Sequence, residues 1–327
     1  MPSSLPLVYH PAYSFPFPER HRFPMAKFGL LAEHLRRIGL LRPENSFRPG
    51  PCKPLWLEQT HCPDYLQRFI SRAQSPRELR QMNLPWSEGL LKRTLIAPSG
   101  TVLAAQLALH TGLACHLAGG THHAHYDYAS GFCILNDLAI AAKVLIRQSG
   151  VGRVLIFDCD VHQGDGTAAL LADEPHAFTC SLHCDNNFPF DKQRSDLDVP
   201  LPDGMGDEDY LRVVMDTLEQ VLTDFQPDIV LYDAGVDVYA GDPLGRLNIT
   251  EAGIRERDRR VLSELLKRDI PVATVIGGGY DDDRLALLIR PTDSMAVGVG
   301  RISEAHPPLP KCEKHQWFTI IRQTKKQ

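Results

Sequence analysis

The chain of 327 residues contains no stretch near the ~18 consecutive apolar residues that a membrane helix needs, so no membrane partner is expected. Its opening, MPSSLPLVYHPAYS, has no charged segment leading into an apolar core, and a secretory leader is not expected either. Basic clusters are scarce: the net charge is −5, and the one run, Lys325-Lys326, is a terminal pair that water solvates. General affinity for nucleic acid, which needs a face rich in Lys and Arg, is thereby excluded. Cysteine occurs eight times but without a disulfide-like framework. Cys180 and Cys184 have no second pair at zinc-ligand spacing, and Cys312 is isolated. Reduced thiols in a cytoplasmic protein are the expectation. Repeats, low-complexity tracts and linkers are missing too, so the chain reads as a single domain over residues 1–327 with a peripheral segment at 301–327.

What is present is alternation. Strands are expected at 5–9, 153–157, 177–182, 229–232 and 272–276. Helices are expected at 25–40, 137–148, 207–225 and 250–268, the last capped by Thr250. A further helix is expected to begin at Ser99, carry Cys115 and end near residue 117, stopped by Gly119-Gly120. The proline-punctuated segments 15–25 and 43–54 read as ordered loops. This order implies an α/β fold with a mainly parallel sheet and helices on both faces. The unusual polar motifs fall at the carboxyl ends of strands, where open α/β sheets place ligand sites.

The densest motif is FDCDVHQGDGT. Asp158, Asp160 and His162 occupy alternate positions directly after the apolar run Val154-Leu155-Ile156-Phe157. Alternate residues of an extended chain share a side, so two carboxylates and an imidazole converge and call for a cation between them. A lone pair of acids would more simply cap the next helix. Here a second rare cluster, His122-His123-Ala-His125, lies upstream, and Asp165 follows in the glycine turn. Asp160, His162 and a carboxylate from another strand end make an O,N,O set with an open position, the character of catalytic zinc. Asp237 in DAGVD is the best third ligand; Asp233 is its rival or an outer hydrogen-bond acceptor, and Asp242 a turn residue. No second ligand set is evident, so one catalytic ion per chain is expected. His122 and His123 can serve as proton-handling groups, with Asp158 and Asp165 as hydrogen-bond acceptors that set their tautomers. Tyr280, behind Gly277, Gly278 and Gly279, can donate to a developing oxyanion. Those glycines lack the G-x-G-x-x-G spacing and a following Lys, so nucleotide binding is not expected.

These residues resemble the zinc-dependent histone deacetylases and their bacterial relatives. The resemblance runs from about residue 9 to about residue 300 through GGTHHAHYDYASGFCILND, FDCDVHQGDGT, DAGVDVYAGDPLG and GGGY, and is nearest to class IV and bacterial class IV-like members. It implies a parallel eight-stranded sheet in an arginase/deacetylase fold. It implies zinc on Asp160, His162 and Asp237, His123 as general base and then acid, and His122 as its partner. Asp165 would stand behind His123 and Asp158 behind His122, with Tyr280 stabilising the oxyanion. Gly131 and Phe132 would form one wall of an acyl-lysine channel. Potassium would sit near the zinc on Asp158, Asp160, His162, Ser181 and Leu182, and Arg22 would mark the inner end of the channel. One departure is the segment CDNNFPF at 184–190, which replaces a glycine- and phenylalanine-rich loop of class I members; Phe188, or else Phe190, is the candidate for the opposite wall.

The activity implied is hydrolysis of the amide of an Nε-acyl-lysine in a peptide or protein, or of a related acylated amine. An acetylpolyamine or other small-amide hydrolase is the alternative. An arginase-type ureohydrolase would need a second metal and further acids, and a silent acyl-lysine binder would not need the histidine pair.

Overall fold

In a computed structural model, which describes residues 5–281, eight strands form one sheet. They are β1 (Leu7–Val8), β2 (Ser46–Phe47), β3 (Leu113–His116), β4 (Val154–Asp158), β5 (Ala177–Cys184), β6 (Leu197–Leu201), β7 (Ile229–Asp233) and β8 (Val272–Val275). The order across the sheet is β2-β1-β3-β8-β7-β4-β5-β6, and every pairing is parallel. All residues of β3, β4, β7 and β8 are buried, as a parallel sheet covered on both faces requires. The helices are α1 (Lys27–Arg37), α2 (Pro54–Glu58), α3 (Pro63–Ile70), α4 (Pro76–Met82), α5 (Glu88–Thr111), α6 (Asp137–Gln148), α7 (Asp165–Leu171), α8 (Asp207–Asp224) and α9 (Glu251–Lys267). Helix α5 packs on α6, and α8 packs on α9. Among the described residues no helix is long and apolar enough to cross a membrane.

The expected strands and helices are recovered with small shifts at their ends, and Thr250 caps α9 by accepting a hydrogen bond from the Gly253 amide at 3.0 Å. The helix expected from Ser99 to about 117 is corrected. Helix α5 begins at Glu88, where Ser87 Oγ accepts from the Leu90 amide at 3.1 Å, and runs through Pro98. It ends at Gly112, whose φ of +80° turns the chain before β3. Cys115 therefore lies in a central strand rather than a helix. Proline at an interior position removes one helix hydrogen bond, which is why the sequence reads as a break there. The loop reading of 43–54 also misses β2, a two-residue edge strand. At the other edge β6 contains Pro200, tolerated because an edge strand leaves some donors unused. The segment 301–327, with Cys312 and Lys325-Lys326, lies outside the described residues.

Candidate active site

Four loops meet at the carboxyl ends of β3, β8, β7 and β4, adjacent strands at the middle of the sheet. The correction at β3 matters here, because it gives the histidine cluster the same strand-end origin as the other motifs. After β4, backbone amides tie the acidic loop down: the Asp160 amide donates to Asp158 Oδ1 at 3.0 Å and the His162 amide to Asp160 Oδ1 at 2.9 Å. Asp237, beyond β7, accepts from the Val161 amide at 3.0 Å, and Asp160 Oδ2 accepts from the Gly278 amide at 2.6 Å. Gly278 has no substitute, since a Cβ there would lie 1.7 Å from Asp237 Oδ2.

Asp160, His162 and Asp237 thus converge, all buried, with their donor atoms within 4.8 Å of one another. His162 Nδ1 lies 3.0 Å from Asp160 Oδ1 and 3.1 Å from Asp237 Oδ2. Donors that share one ion through bonds of ~2.0–2.2 Å have about this spacing. Burial disfavours a charged imidazole, yet the two carboxylates outweigh it and push His162 up to about 10. Burial and Asp160 push Asp237 up to about 7. The cluster wants positive charge at its centre, and a divalent cation fits the donor set.

The sequence expectation of a single ligand set is corrected. His122, Asp158 and Asp233 form a second group of donors within 4.8 Å of one another. Asp233 is fully buried at the end of β7, and neither of its carboxylate oxygens has a hydrogen-bond partner among the described residues. It is therefore not the hydrogen-bonded outer acid that the sequence suggested as one option.

The histidine pair is held from behind. His122 Nδ1 donates to Asp158 Oδ2 at 2.7 Å and His123 Nδ1 to Asp165 Oδ1 at 2.6 Å, the partners expected from sequence. His125 Nε2 also donates to Asp165, at 2.9 Å. Asn136 at the start of α6 donates to the carbonyls of His122 and Ala124 at 3.2 and 3.3 Å, while Asp137 Oδ1 accepts from the Thr121 amide at 2.7 Å. Both sit in the quoted histidine motif, and the cap pattern before helix 137–148 was the signal that could have singled them out. The two histidines titrate in opposite directions. Burial works against the charged form of His122, but Asp158 and Asp160 overcome it and hold its pKa well above the ordinary value. For His123, burial and the charge on His122 win over Asp165 and bring it down to about 4.

Above these groups is a cavity of about 860 Å³, lined by His123, Gly131, Phe132, His162, Phe188 and Tyr280 among others. Phe132 packs against Tyr280 at 5.8 Å between ring centres, and Phe188 meets the edge of His123 at 4.9 Å, so the two phenylalanines flank the way in. Phe188 rather than Phe190 makes these contacts; Phe190 is 85% exposed. Gly131 has φ +51°, and a Cβ on it would come 2.3 Å from the His123 ring. Tyr280 is fixed by its amide, which donates to Asp242 Oδ2 at 2.7 Å, so Asp242 is more than a turn residue. Ser181 and Leu182 lie on β5, with Ser181 in register with Asp158 of β4.

Arg22 does not reach the inner end of this cavity; it is exposed and lines the mouth. Lys27, which does not line the cavity, is a buried cation set against the glycine loop before Tyr280. Its buried Nζ donates to the carbonyls of Gly277 and Gly278 at 3.1 and 3.2 Å and lies 5.7 Å from the Tyr280 ring centre. Burial brings its pKa down to about 8, against the pull of Asp237. The sequence signal was available: Lys27 shares the buried face of α1 with Leu31 and Leu35 at helical spacing. Arg257, fully buried on α9, was also missed. It donates to the carbonyls of Cys159 at 3.3 Å and Gly235 at 2.8 Å, the loops that carry Asp160 and Asp237.

The family model for the histone deacetylase domain matches residues 21–292. An uncharacterized protein of Picosynechococcus is 52% identical over 275 residues, covering 84% of this chain and 92% of that one. Histone deacetylase 2 of Arabidopsis thaliana is 29% identical over 290 residues, covering 85% of this chain and 75% of its own. The crystal structure of a histone deacetylase homolog complexed with SAHA superposes with a TM-score of 0.74 at 23% identity, over 94% of this chain and 86% of that one, and shares the fold. With the domain model spanning most of its length, the chain belongs to the histone deacetylase family.

Proposed function

We propose that the protein is a zinc-dependent deacylase that hydrolyses the amide of an Nε-acyl-lysine or a related acylated amine, through a single catalytic domain. The observation that carries this reading is the buried Asp160–His162–Asp237 donor set beneath His123 and Tyr280, at the floor of a cavity flanked by Phe132 and Phe188. A bound zinc supplies Lewis acidity, polarising the scissile carbonyl and making water more acidic. The chain's own groups do the rest. His123, neutral at physiological pH, presents Nε2 as the base because its Nδ1–H is committed to Asp165. His122 stays charged on Asp158 and stabilises negative charge as it develops. Tyr280 donates its hydroxyl to the oxyanion, and His123 returns its proton to the departing amine. Phe132 and Phe188 suit the methylene stem of an acylated lysine. Potassium is assigned to the carbonyls and side chains of Asp158, Asp160, His162, Ser181 and Leu182, and the free thiols fit a cytoplasmic setting.

The second donor group, His122, Asp158 and Asp233, favours a dinuclear ureohydrolase as the other reading. It is outweighed because Asp158 is already committed to His122 at 2.7 Å, and among the described residues no carboxylate lines the cavity to receive a guanidinium. The test is an assay of the metal-loaded protein with acetyl-lysine peptide, arginine and agmatine. Acetate release from the peptide and inhibition by a linear hydroxamate are expected. Urea release with the peptide untouched would overturn the proposal.

A further inference from the structure

The mouth of the cavity is basic on a chain that is acidic as a whole. Arg22, Arg80 and Arg246 line it, and among the described residues no Asp or Glu does. Arg246 is partly neutralised, with Nη1 3.3 Å from Asp203 Oδ2. Arg22 and Arg80 are exposed, and neither has an acidic partner among the described residues. Their placement is built. His21 and Phe23, on either side of Arg22, pack on Phe132 at ring-centre distances of 5.9 and 5.7 Å. His21 Nε2 also contacts the carbonyl of Asn83 at 3.1 Å. Asn83, with φ +49°, closes α4 just after Arg80 in its last turn. One histidine therefore ties the two arginine-bearing segments to each other and to the channel wall.

When the acyl end of a substrate lies at the floor, the rest of the amine emerges between these guanidinium groups. A guanidinium offers a planar donor fork that matches a carboxylate and repels a cationic chain. Resting on the deacylase reading, we infer that Arg22 and Arg80 select acylated amines that carry a carboxylate beyond the channel mouth and reject acylated polyamines. The carboxylate can be the α-carboxylate of a terminal or free acyl-lysine, or an acidic side chain beside an internal one.

Four substrates separate these cases with the metal-loaded protein: a peptide ending in acetyl-lysine with a free carboxylate, the same peptide as a neutral amide, the amide with aspartate beside the acetyl-lysine, and N-acetylspermidine. At least one carboxylate substrate should exceed the neutral amide in kcat/KM by roughly three- to tenfold, the range of one or two exposed ion pairs, with the difference in KM and reduced by salt. The polyamine should be the poorest. Which carboxylate gains identifies its source. Arg22→Gln combined with Arg80→Gln should bring the carboxylate-to-amide ratio close to one, whereas Arg80→Lys should keep part of it. Equal kcat/KM for the neutral amide and both carboxylate peptides, a preference for the polyamine, or a ratio unchanged in the double variant would overturn the inference while the deacylase reading stands. Hydrolysis of none of the four removes that reading, and the inference with it.

Discussion

His122 and His123 are adjacent, yet their acids and burial send them opposite ways, one held charged and the other pressed down to about 4. That division assigns them separate tasks. His123→Ala is expected to remove nearly all turnover while zinc content, measured by elemental analysis, stays at the wild-type level; zinc lost together with turnover would mean that His123 holds the metal. Tyr280→Phe should keep zinc and lower kcat by ~10²–10³, the usual cost of one oxyanion donor. Wild-type kcat on every substrate would remove Tyr280 from the chemistry. At this scale the reactive groups were legible because alternate acids after a buried strand, and histidines between glycines and aromatics, are rare patterns. Lys27 is legible only through the helical spacing that puts it on one face with Leu31 and Leu35, since a lysine next to Phe28 otherwise reads as an exposed position. The inner-end position of Arg22 rested on the resemblance alone, and its exposed side chain lies at the mouth instead.

Among the elements, α9 and the turn around His61 set the rigidity of the site. Arg257 reaches from α9 to the loops after β4 and β7, and it also donates to Asp258 at 2.7 Å. Removing one partner from a buried charged network costs about 3–5 kcal/mol, so Arg257→Met should lower the urea midpoint strongly and weaken zinc retention. A stability within error of wild type would show that the carbonyls find other donors. His61 donates from Nδ1 to the carbonyl of His125 at 2.8 Å and accepts at Nε2 from the Asn136 amide at 2.9 Å, joining the histidine loop to α6. Burial lowers its pKa from the ordinary 6.5 to about 4. Between those values the unfolded chain binds a proton that the folded chain does not. Stability is therefore complete above the ordinary value and falls as pH drops toward about 4. The slope is up to about 1.4 kcal/mol per pH unit for each such histidine. Urea titrations across this window should show a shallower slope for His61→Gln; identical slopes would contradict the account. Amphipathic helices such as α6 and α8 were legible from periodicity alone. The start of α5 was hidden by Pro98, and β3 by a four-residue length that periodicity cannot tell from a helix end.

For the whole molecule, the parallel order and the strand-end site were legible because buried apolar runs alternate with amphipathic helices. The second donor group was not, because His122, Asp158 and Asp233 come from three separate strand ends that only the assembled sheet brings together. Its presence makes metal count the decisive quantity. Asp160→Ala and Asp237→Ala should each lose zinc and activity together, whereas the second group should hold no ion needed for turnover. The most direct test adds zinc stepwise to metal-free protein while acetate release from an acetyl-lysine peptide is followed. Activity should rise from near zero in proportion to zinc and level off at one ion per chain. Full activity without metal, or a plateau reached only at two ions per chain, would contradict the single-zinc deacylase.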